Sequence, residues 1–126
     1  MAAYSKGAGM QLYRVITEKN WQEALRLGYV PRCGNDKKED GIHLNLAEAV
    51  EYTANRYFTE DEKPLVLVVN TKSFSERIEW CDSTTTEPWQ RPLAKIDNLP
   101  LNVVLDTNAL VAMEDGSDMI FKWDQP

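Results

Sequence analysis

The chain has 126 residues, of which 43% are hydrophobic and 27% are charged, a composition typical of one folded, soluble domain. Its formal net charge is −6 at pH 7. A negative field of this size repels polyphosphate, so we expect neither a large nucleic-acid surface nor an anionic-membrane surface. A small anionic ligand remains compatible with this charge, provided that its pocket is locally basic.

The two cysteines and the single histidine restrict metal and redox chemistry. Cys33 and Cys81 form no CxxC pattern, and with His43 they do not complete a zinc ligand set, so we expect no metal. The sequence leaves open whether the cysteines are reduced thiols or a disulfide. The longest apolar run, LVLVV, is too short to span a bilayer, and the N-terminus has no hydrophobic signal segment. We therefore expect a cytoplasmic protein with a flexible leader over residues 1–10.

The first third of the chain predicts a strand, a helix, a second short strand and a loop. QLYRVIT (residues 11–17) is rich in β-branched and aromatic residues, which is typical of a strand. Thr17 is placed to cap a helix over residues 18–28, which Gly28 ends. YVPR continues in extended form. The segment CGNDKKEDG (residues 33–41) is polar and bounded by glycine, so it predicts an exposed loop.

The single histidine lies between this loop and a second predicted helix. IHLN (residues 42–45) predicts a short strand, and Asn45 is placed to cap the helix LAEAVEYTANRYF. His43 therefore stands close to a helix N-terminus, where backbone N–H groups favour negative charge. PLVLVVNT (residues 64–71) is the clearest strand, because a continuous β-branched run of this length is typical of burial on both faces.

The rest of the chain predicts strands and turns. RIEWCD (residues 77–82) alternates in character and predicts a strand, and STTTEPWQRP (residues 83–92) predicts a polar loop stiffened by prolines. Residues 99–123 contain two further strands separated by the turn EDGSD. Two helices in the N-terminal half and strands thereafter predict one α+β domain over residues 11–126.

Four polar or aromatic side chains are candidates for chemistry on these patterns alone. His43 can hydrogen-bond a ligand hydroxyl or phosphate, although a histidine that caps a loop carbonyl is the commoner outcome. Glu79 alternates with apolar neighbours, so it faces outward or lines a cleft, where desolvation perturbs the pKa of a carboxyl. Tyr13 and Arg14 point to opposite faces of the first strand, so one of them at most faces a given cleft. A solvated charge is the default for Arg14, and no local motif supports a nucleophilic pair of His43 with a cysteine.

Several segments between about Gln11 and Leu105 have a familiar order and spacing: LYRVITEKNWQEALRLG, DGIHLNLAEAVEYTANRYF, LVLVVNT, RIEW and LPLNVV. The most specific is DGIHL (residues 40–44), in which Gly41-Ile42-His43 lies just before a predicted helix. In these features the chain resembles an uncharacterised family, domain of unknown function nine-five-two. The resemblance implies a fold similar to that of the ADP-ribosyltransferases, with split antiparallel sheets around a nicotinamide-dinucleotide cleft.

The resemblance also implies a ligand and residue roles. The ligand is NAD, and the chemistry is ADP-ribosyl transfer or another reaction at an N-glycosidic bond. Arg14 takes a ribose-contacting position, and His43 takes a nucleotide-contacting and catalytic position. Glu79 matches the catalytic acid, because a carboxylate stabilises the positive charge that develops on the sugar. Tyr13 and Asn45 complete the cofactor-binding set that the resemblance implies.

One segment departs from the family. Its members carry Pro-His-x-Tyr-Gly before the LPL strand, whereas this chain has RPLAKIDNLPL there. Either the contact of that second histidine is lost or Lys95 has taken it over. Because fold does not imply function, a non-catalytic module that binds a small ligand or a protein through the same cleft is the alternative. Further candidates are an aromatic face for the nicotinamide, from Tyr13, Tyr57 or Trp80, and cations for a phosphate, from Arg32, Arg56 or Lys95.

Overall fold

Antiparallel sheets and three short α-helices make up the part of the chain that the computed structural model describes, residues 10–116 and 118–123. The helices are α1 (Glu18–Leu27), α2 (Gly34–Glu39) and α3 (Val50–Tyr57). The strands are β1 (Gln11–Ile16), β2 (Tyr29–Pro31), β3 (Ile42–His43), β4 (Leu65–Asn70), β5 (Ile78–Cys81), β6 (Arg91–Ala94), β7 (Asn98–Pro100), β8 (Val104–Asp115) and β9 (Asp118–Trp123). The helices precede most of the strands in the chain, and the predicted α+β class is confirmed.

The strands form a four-stranded sheet in the order β1-β4-β8-β9, a three-stranded sheet in the order β3-β6-β5, and the pair β2-β7. Every pairing is antiparallel. Strand β4 lies inside the largest sheet, and Val66, Leu67 and Val69 are fully buried, as the continuous apolar run predicts.

A short backbone bridge links the two larger sheets. The N–H of Tyr13 in β1 donates to the carbonyl of Asn45 at 2.9 Å, and the N–H of Asn45 donates back to the carbonyl of Tyr13 at 2.6 Å. This bridge fixes the chain just after β3 against the edge of the four-stranded sheet. The side chains that follow or precede it on each strand are thereby brought close together.

Helix α1 begins and ends where the sequence predicts. The hydroxyl of Thr17 accepts a hydrogen bond from the N–H of Asn20 at 3.0 Å, which satisfies one of the otherwise unpaired donors of the first turn. Gly28 ends the helix with a φ of 89°, a left-handed conformation that costs glycine little.

The prediction of an exposed loop over residues 33–41 is wrong, because most of it forms α2. The N–H of Cys33 donates to the Oδ2 atom of Asp36 at 2.8 Å, which closes the first turn, and Asp40 ends the helix with a φ of 55°. Six residues are too few to show an apolar stripe, and the one buried side chain of this helix is the carboxylate of Asp36. The N-terminal half therefore contains three helices rather than two.

The prediction that Asn45 caps the second helix is also wrong. A 3₁₀ turn over Ala47–Ala49 precedes α3, and Asn45 pairs with β1 instead. Its Oδ1 atom accepts a hydrogen bond from the hydroxyl of Thr53 at 3.0 Å, one turn into α3. Asn45, which the sequence pattern assigns to the helix as its cap, pairs with β1 instead. Strand β6 likewise begins at Arg91, inside the predicted loop over residues 83–92.

The predicted leader lies outside the described residues except for Met10. Met10 packs against the main core, and its carbonyl accepts hydrogen bonds from the N–H and the hydroxyl of Thr71, at 3.2 and 2.7 Å. Ordered structure therefore reaches at least one residue before β1.

Candidate functional site

A cavity of about 550 Å³ lies between β1, α2, α3 and the three-stranded sheet. Small-molecule sites in proteins typically measure ~300–1,000 Å³. Arg14, His43 and Asn45, three of the predicted site residues, line this cavity. The structure therefore brings together residues from β1 and from the end of β3 that are well separated in sequence.

A buried carboxylate, Asp36, stands behind the cavity wall with an exposed fraction of 0%. Its Oδ1 atom accepts from the backbone N–H of His43 and from the ring Nδ1 of the same residue, both at 2.9 Å. Its Oδ2 atom accepts from Nη2 of Arg14 at 2.7 Å and from the N–H of Cys33 at 2.8 Å. Nη1 of Arg14 adds a longer bond to Oδ1 at 3.4 Å, so five hydrogen bonds surround the two oxygens. Asp36 therefore remains fully hydrogen-bonded without water.

The ionisation of Asp36 follows from these partners. Burial alone raises the pKa of a carboxyl, but the hydrogen bond to His43 and the positive charge of Arg14 outweigh it and hold the pKa of Asp36 well below its usual range. Asp36 is thus a carboxylate at neutral pH and acts as a hydrogen-bond acceptor only.

Arg14 is not the solvated charge that the sequence suggests by default. Its exposed fraction is 7%, and its Nη1 atom donates to the carbonyl oxygen of His43 at 2.8 Å while its Nη2 atom donates to Asp36. The guanidinium thus binds both the main chain at His43 and the carboxylate that holds the ring of His43. Its Nε atom is buried and has no acceptor among the described residues.

His43 is the member of this group that reaches solvent. Its side chain is 39% exposed and lines the cavity, although Nδ1 faces the buried Asp36. The other ring nitrogen, Nε2, therefore lies on the exposed side of the imidazole. The ring bonds the carboxylate of Asp36, and both roles considered for His43 from the sequence remain predictions.

The DGIHL segment positions this histidine through its backbone. A Cβ atom on Gly41 would lie 2.8 Å from the carbonyl oxygen of Ala94 and 2.8 Å from Cγ of Leu93, so only glycine fits against β6 there. Asp40, just before it, is bound by Nη1 of Arg32 at 2.9 Å, and Lys95 lies 3.7 Å from its other oxygen. Arg32 and Lys95 therefore hold the end of α2.

Glu79 and Tyr13 do not line the cavity in the described part of the chain. Glu79 is exposed on β5 and pairs with Leu93, which pairs in turn with His43, so it lies two strands from the histidine, about 10 Å away at usual strand spacing. Tyr13 points to the opposite face of β1 from Arg14 and packs edge-on against Trp123, with ring centroids 4.9 Å apart. Their predicted roles remain predictions.

The cavity also contains residues that the sequence did not single out for chemistry. Asp36 was missed because it lies inside a polar segment, and the one local signal was its position three residues after Cys33, the spacing of a capping box. Three basic and three acidic side chains line the cavity, so its formal charges balance in a protein of net charge −6: Arg14, Lys38 and Arg91 against Asp36, Glu39 and Glu87. Tyr57, an exposed residue of α3, also lines it, whereas Trp80 packs against the main core.

The described residues contain two free cysteines and no cluster of candidate metal ligands. Cys33 and Cys81 are free thiols, and both line the cavity. Within residues 10–116 and 118–123, no three His, Cys, Asp or Glu side chains converge as a metal ion requires. Within the same residues, no helix is long and apolar enough to cross a bilayer.

The fold is similar to that in solved structures of protein CC0527 from Caulobacter crescentus. Its crystal structure has a TM-score of 0.74 and 20% sequence identity, covering 90% of this chain and 94% of that one, and a double mutant gives the same values. Its solution NMR structure has a TM-score of 0.68 and 21% identity, covering 84% and 89%. At these identities the likeness concerns the fold alone.

No protein with a curated description matches the chain. Residues 15–104 match the family described as "Protein of unknown function (DUF952)". This span is more than half of the chain and contains Asp36, Gly41 and His43, so it includes the DGIHL segment on which the resemblance rests. The chain belongs to this family of proteins of unknown function.

Proposed function

We propose that the cavity binds a small polar ligand of nucleotide type, and that His43 is the side chain that contacts it. NAD is the first compound to test. The observation that carries the proposal is the half-exposed imidazole of His43, held on the wall of a ligand-sized cavity by a buried carboxylate.

Other parts of the cavity suit a nucleotide. Lys38 and Arg91 line it and offer positive charge to a phosphate group. Nε of Arg91, like that of Arg14, is buried without an acceptor among the described residues, so each arginine has an unused donor. Tyr57 offers an exposed aromatic ring on which a base or a nicotinamide ring can stack.

A reaction at the N-glycosidic bond of NAD, such as ADP-ribosyl transfer, is the catalytic form of this proposal. Support for an ADP-ribosyltransferase-like fold is limited to two antiparallel sheets that meet beside one cavity. The chemistry needs a carboxylate near the ribose to stabilise developing positive charge. Glu79 lies outside the lining, whereas Glu87 is within it, so Glu87 is the better-placed acid for this role.

Binding without turnover is the second candidate, and two observations favour it. The guanidinium of Arg14 is held in a buried ion pair with Asp36 and by the carbonyl of His43, so it serves the network around His43 and not primarily a ligand. Glu79, the predicted catalytic acid, is on an exposed strand position outside the lining.

NMR titration with NAD tests the binding step, because His43 is the single histidine of the chain and its ring signals need no assignment. We expect millimolar NAD to shift the His43 ring signals. Lys38→Gln should weaken binding severalfold, while Lys19→Gln, a matched loss of an exposed lysine of α1 outside the cavity lining, should not. Unchanged His43 signals at millimolar NAD would exclude the proposal.

Nicotinamide release from NAD separates the two candidates. Release that Glu87→Gln abolishes without loss of NAD binding identifies the catalytic form, and Glu79→Gln compares the predicted acid under the same conditions. Saturable NAD binding with no release from the wild type identifies the non-catalytic form. A His43→Gln variant that keeps its melting temperature but loses NAD binding would support a ligand contact over a structural role.

A further inference from the structure

We propose that Asp36 is a positioning residue that fixes the tautomer and the orientation of His43, so that Nε2 faces the cavity as a proton acceptor. The site then takes a ligand with a hydroxyl group, such as the ribose of a nucleotide. The choice of ligand rests on the proposed function, but the arrangement of the two residues exists without a ligand.

The tautomer follows from the hydrogen bond to Asp36. The Oδ1 atom of Asp36 lies 2.9 Å from Nδ1 of His43, and a carboxylate can only accept. The proton of the neutral ring must therefore sit on Nδ1, which leaves the lone pair on Nε2. A neutral imidazole held in this way is the geometry of a general base whose second nitrogen is fixed by an acid.

The orientation is fixed at two points. The same Oδ1 atom accepts from the backbone N–H of His43, and Nη1 of Arg14 donates to its carbonyl oxygen, so main chain and ring are bound to one rigid group. Asp36 itself cannot rotate, because Arg14 and the N–H of Cys33 hold its Oδ2 atom. Because Arg14 balances the charge of Asp36, the carboxylate acts on the ring mainly through the hydrogen bond.

The exposure of the ring argues for chemistry beyond support of the fold. Three of the four residues in this network are arranged to hold the fourth, and that fourth residue is the one open to the cavity. In the step that we infer, the proton of a ligand hydroxyl moves to Nε2 while the electron pair stays on the ligand oxygen. The imidazolium that forms keeps its Nδ1–H bond to Asp36 and can return the proton to the same ligand oxygen.

The ¹⁵N spectrum of the single histidine tests the tautomer directly in the ligand-free protein. Above the titration range of the ring, we expect Nδ1 to have the shift of a protonated nitrogen and Nε2 that of an unprotonated one. An Arg14→Gln, Asp36→Asn double variant replaces both charges with neutral side chains of similar size. In this variant the ratio of rings protonated at Nδ1 to rings protonated at Nε2 should fall by about tenfold or more. This is the factor expected when a hydrogen bond to a charged acceptor is weakened.

An Arg26→Gln, Glu23→Gln double variant is the matched control. It removes an arginine–carboxylate pair on the exposed face of α1, outside the cavity lining, so the tautomer should not change. If the Arg14→Gln, Asp36→Asn variant does not fold, the wild-type spectrum still decides the question. A wild-type ring protonated mainly at Nε2 would overturn the inference.

The two proposals fail in different ways. A His43 ring with the proton on Nδ1 that does not respond to NAD would exclude the nucleotide and leave the pair of Asp36 and His43 in place. A ring that responds to NAD but carries its proton on Nε2 would exclude the role of Asp36 and leave the nucleotide site in place.

Discussion

Asp36 shows how a single residue can be conspicuous in the structure and inconspicuous in the sequence. It lies in a run of charged residues, yet it is fully buried because Arg14, Cys33 and His43 together satisfy its oxygens. Taking two charges out of water costs several kcal/mol per ion, and only good geometry with further hydrogen bonds offsets this cost. Such a pair adds little net stability compared with packed apolar side chains, but it holds the ring of His43 on the cavity wall.

The buried ion pair predicts a large effect of Arg14→Met on stability. The change keeps most of the side-chain volume but leaves the carboxylate of Asp36 buried without its cation, so we expect a loss of about 3–5 kcal/mol in the free energy of unfolding. Urea denaturation measures it.

Arg26→Met is the control for the loss of an ion-paired arginine. Arg26 pairs with Glu23 on the exposed face of α1, and exposed pairs contribute little to stability. Its unfolding curve should match that of the wild type. An Arg14→Met protein as stable as Arg26→Met would mean that Asp36 finds water or another partner.

At the scale of elements, the end of α2 and the start of β3 act as one positioning unit. Asp40 ends the helix in a left-handed conformation, and Gly41 lets the chain pass directly over β6. Arg32 donates to the carbonyl of Ile96 at 2.9 Å and also binds Asp40, which holds this turn in place. Arg32 and Lys95, two cations considered for a phosphate, therefore bind Asp40 instead. Each residue of DGIHL thus has a structural role. Asp40 ends the helix, Gly41 allows the close approach to β6, Ile42 packs in the core, and His43 lines the cavity.

This close approach predicts that Gly41→Ala destabilises the protein. The added methyl group must displace the main chain or Leu93 of β6, and overpacking of this kind costs about 1–3 kcal/mol. Thermal unfolding measures the loss, and His43 ring signals report whether the site has moved.

Gly34→Ala tests the same substitution seven residues earlier. A Cβ atom on Gly34, the first residue of α2, would meet nothing within 4 Å. Its melting temperature should equal or exceed that of the wild type, because alanine restricts the unfolded chain more than glycine does. Equal losses in both variants would contradict the role assigned to Gly41.

At the scale of the whole molecule, the β8–β9 hairpin belongs to the domain although the family match ends at residue 104. Phe121 of β9 is 2% exposed and packs in the second hydrophobic cluster, under α3 and against β1 and β4. Asn55 of α3 also bonds the main chain of Phe121, donating to its carbonyl at 3.2 Å and accepting from its N–H at 2.7 Å. The hairpin therefore supports the helix that forms one wall of the cavity.

We accordingly expect Phe121→Ala to destabilise the entire domain by about 3–5 kcal/mol, as the loss of a buried phenylalanine usually does. Met119→Ala, at an exposed position two residues away, should have little effect. Fluorescence and circular dichroism should give one coincident transition for Phe121→Ala. Separate transitions would show that the hairpin unfolds by itself.

Sequence patterns alone predict several helices and strands of this protein and its family membership. The strand at β4, the helix capped by Thr17 and Gly28, and the final hairpin follow from periodicity, β-branched runs and turn residues, all of which act between neighbours. The ordered segments between about Gln11 and Leu105, with DGIHL the most specific, identified the family that residues 15–104 match. That resemblance also pointed to His43 and Arg14, which the structure brings to one cavity.

Which polar side chains are buried depends on tertiary contacts. Asp36 is buried because of Arg14, 22 positions away in sequence, and His43, seven positions away, and no local pattern encodes those contacts. Likewise Asn45 has the right residue type for a helix cap, but pairing with β1 claims its backbone. A charged or amide side chain by itself favours water, and it is buried only where folding assembles the partners that offset the cost of losing water.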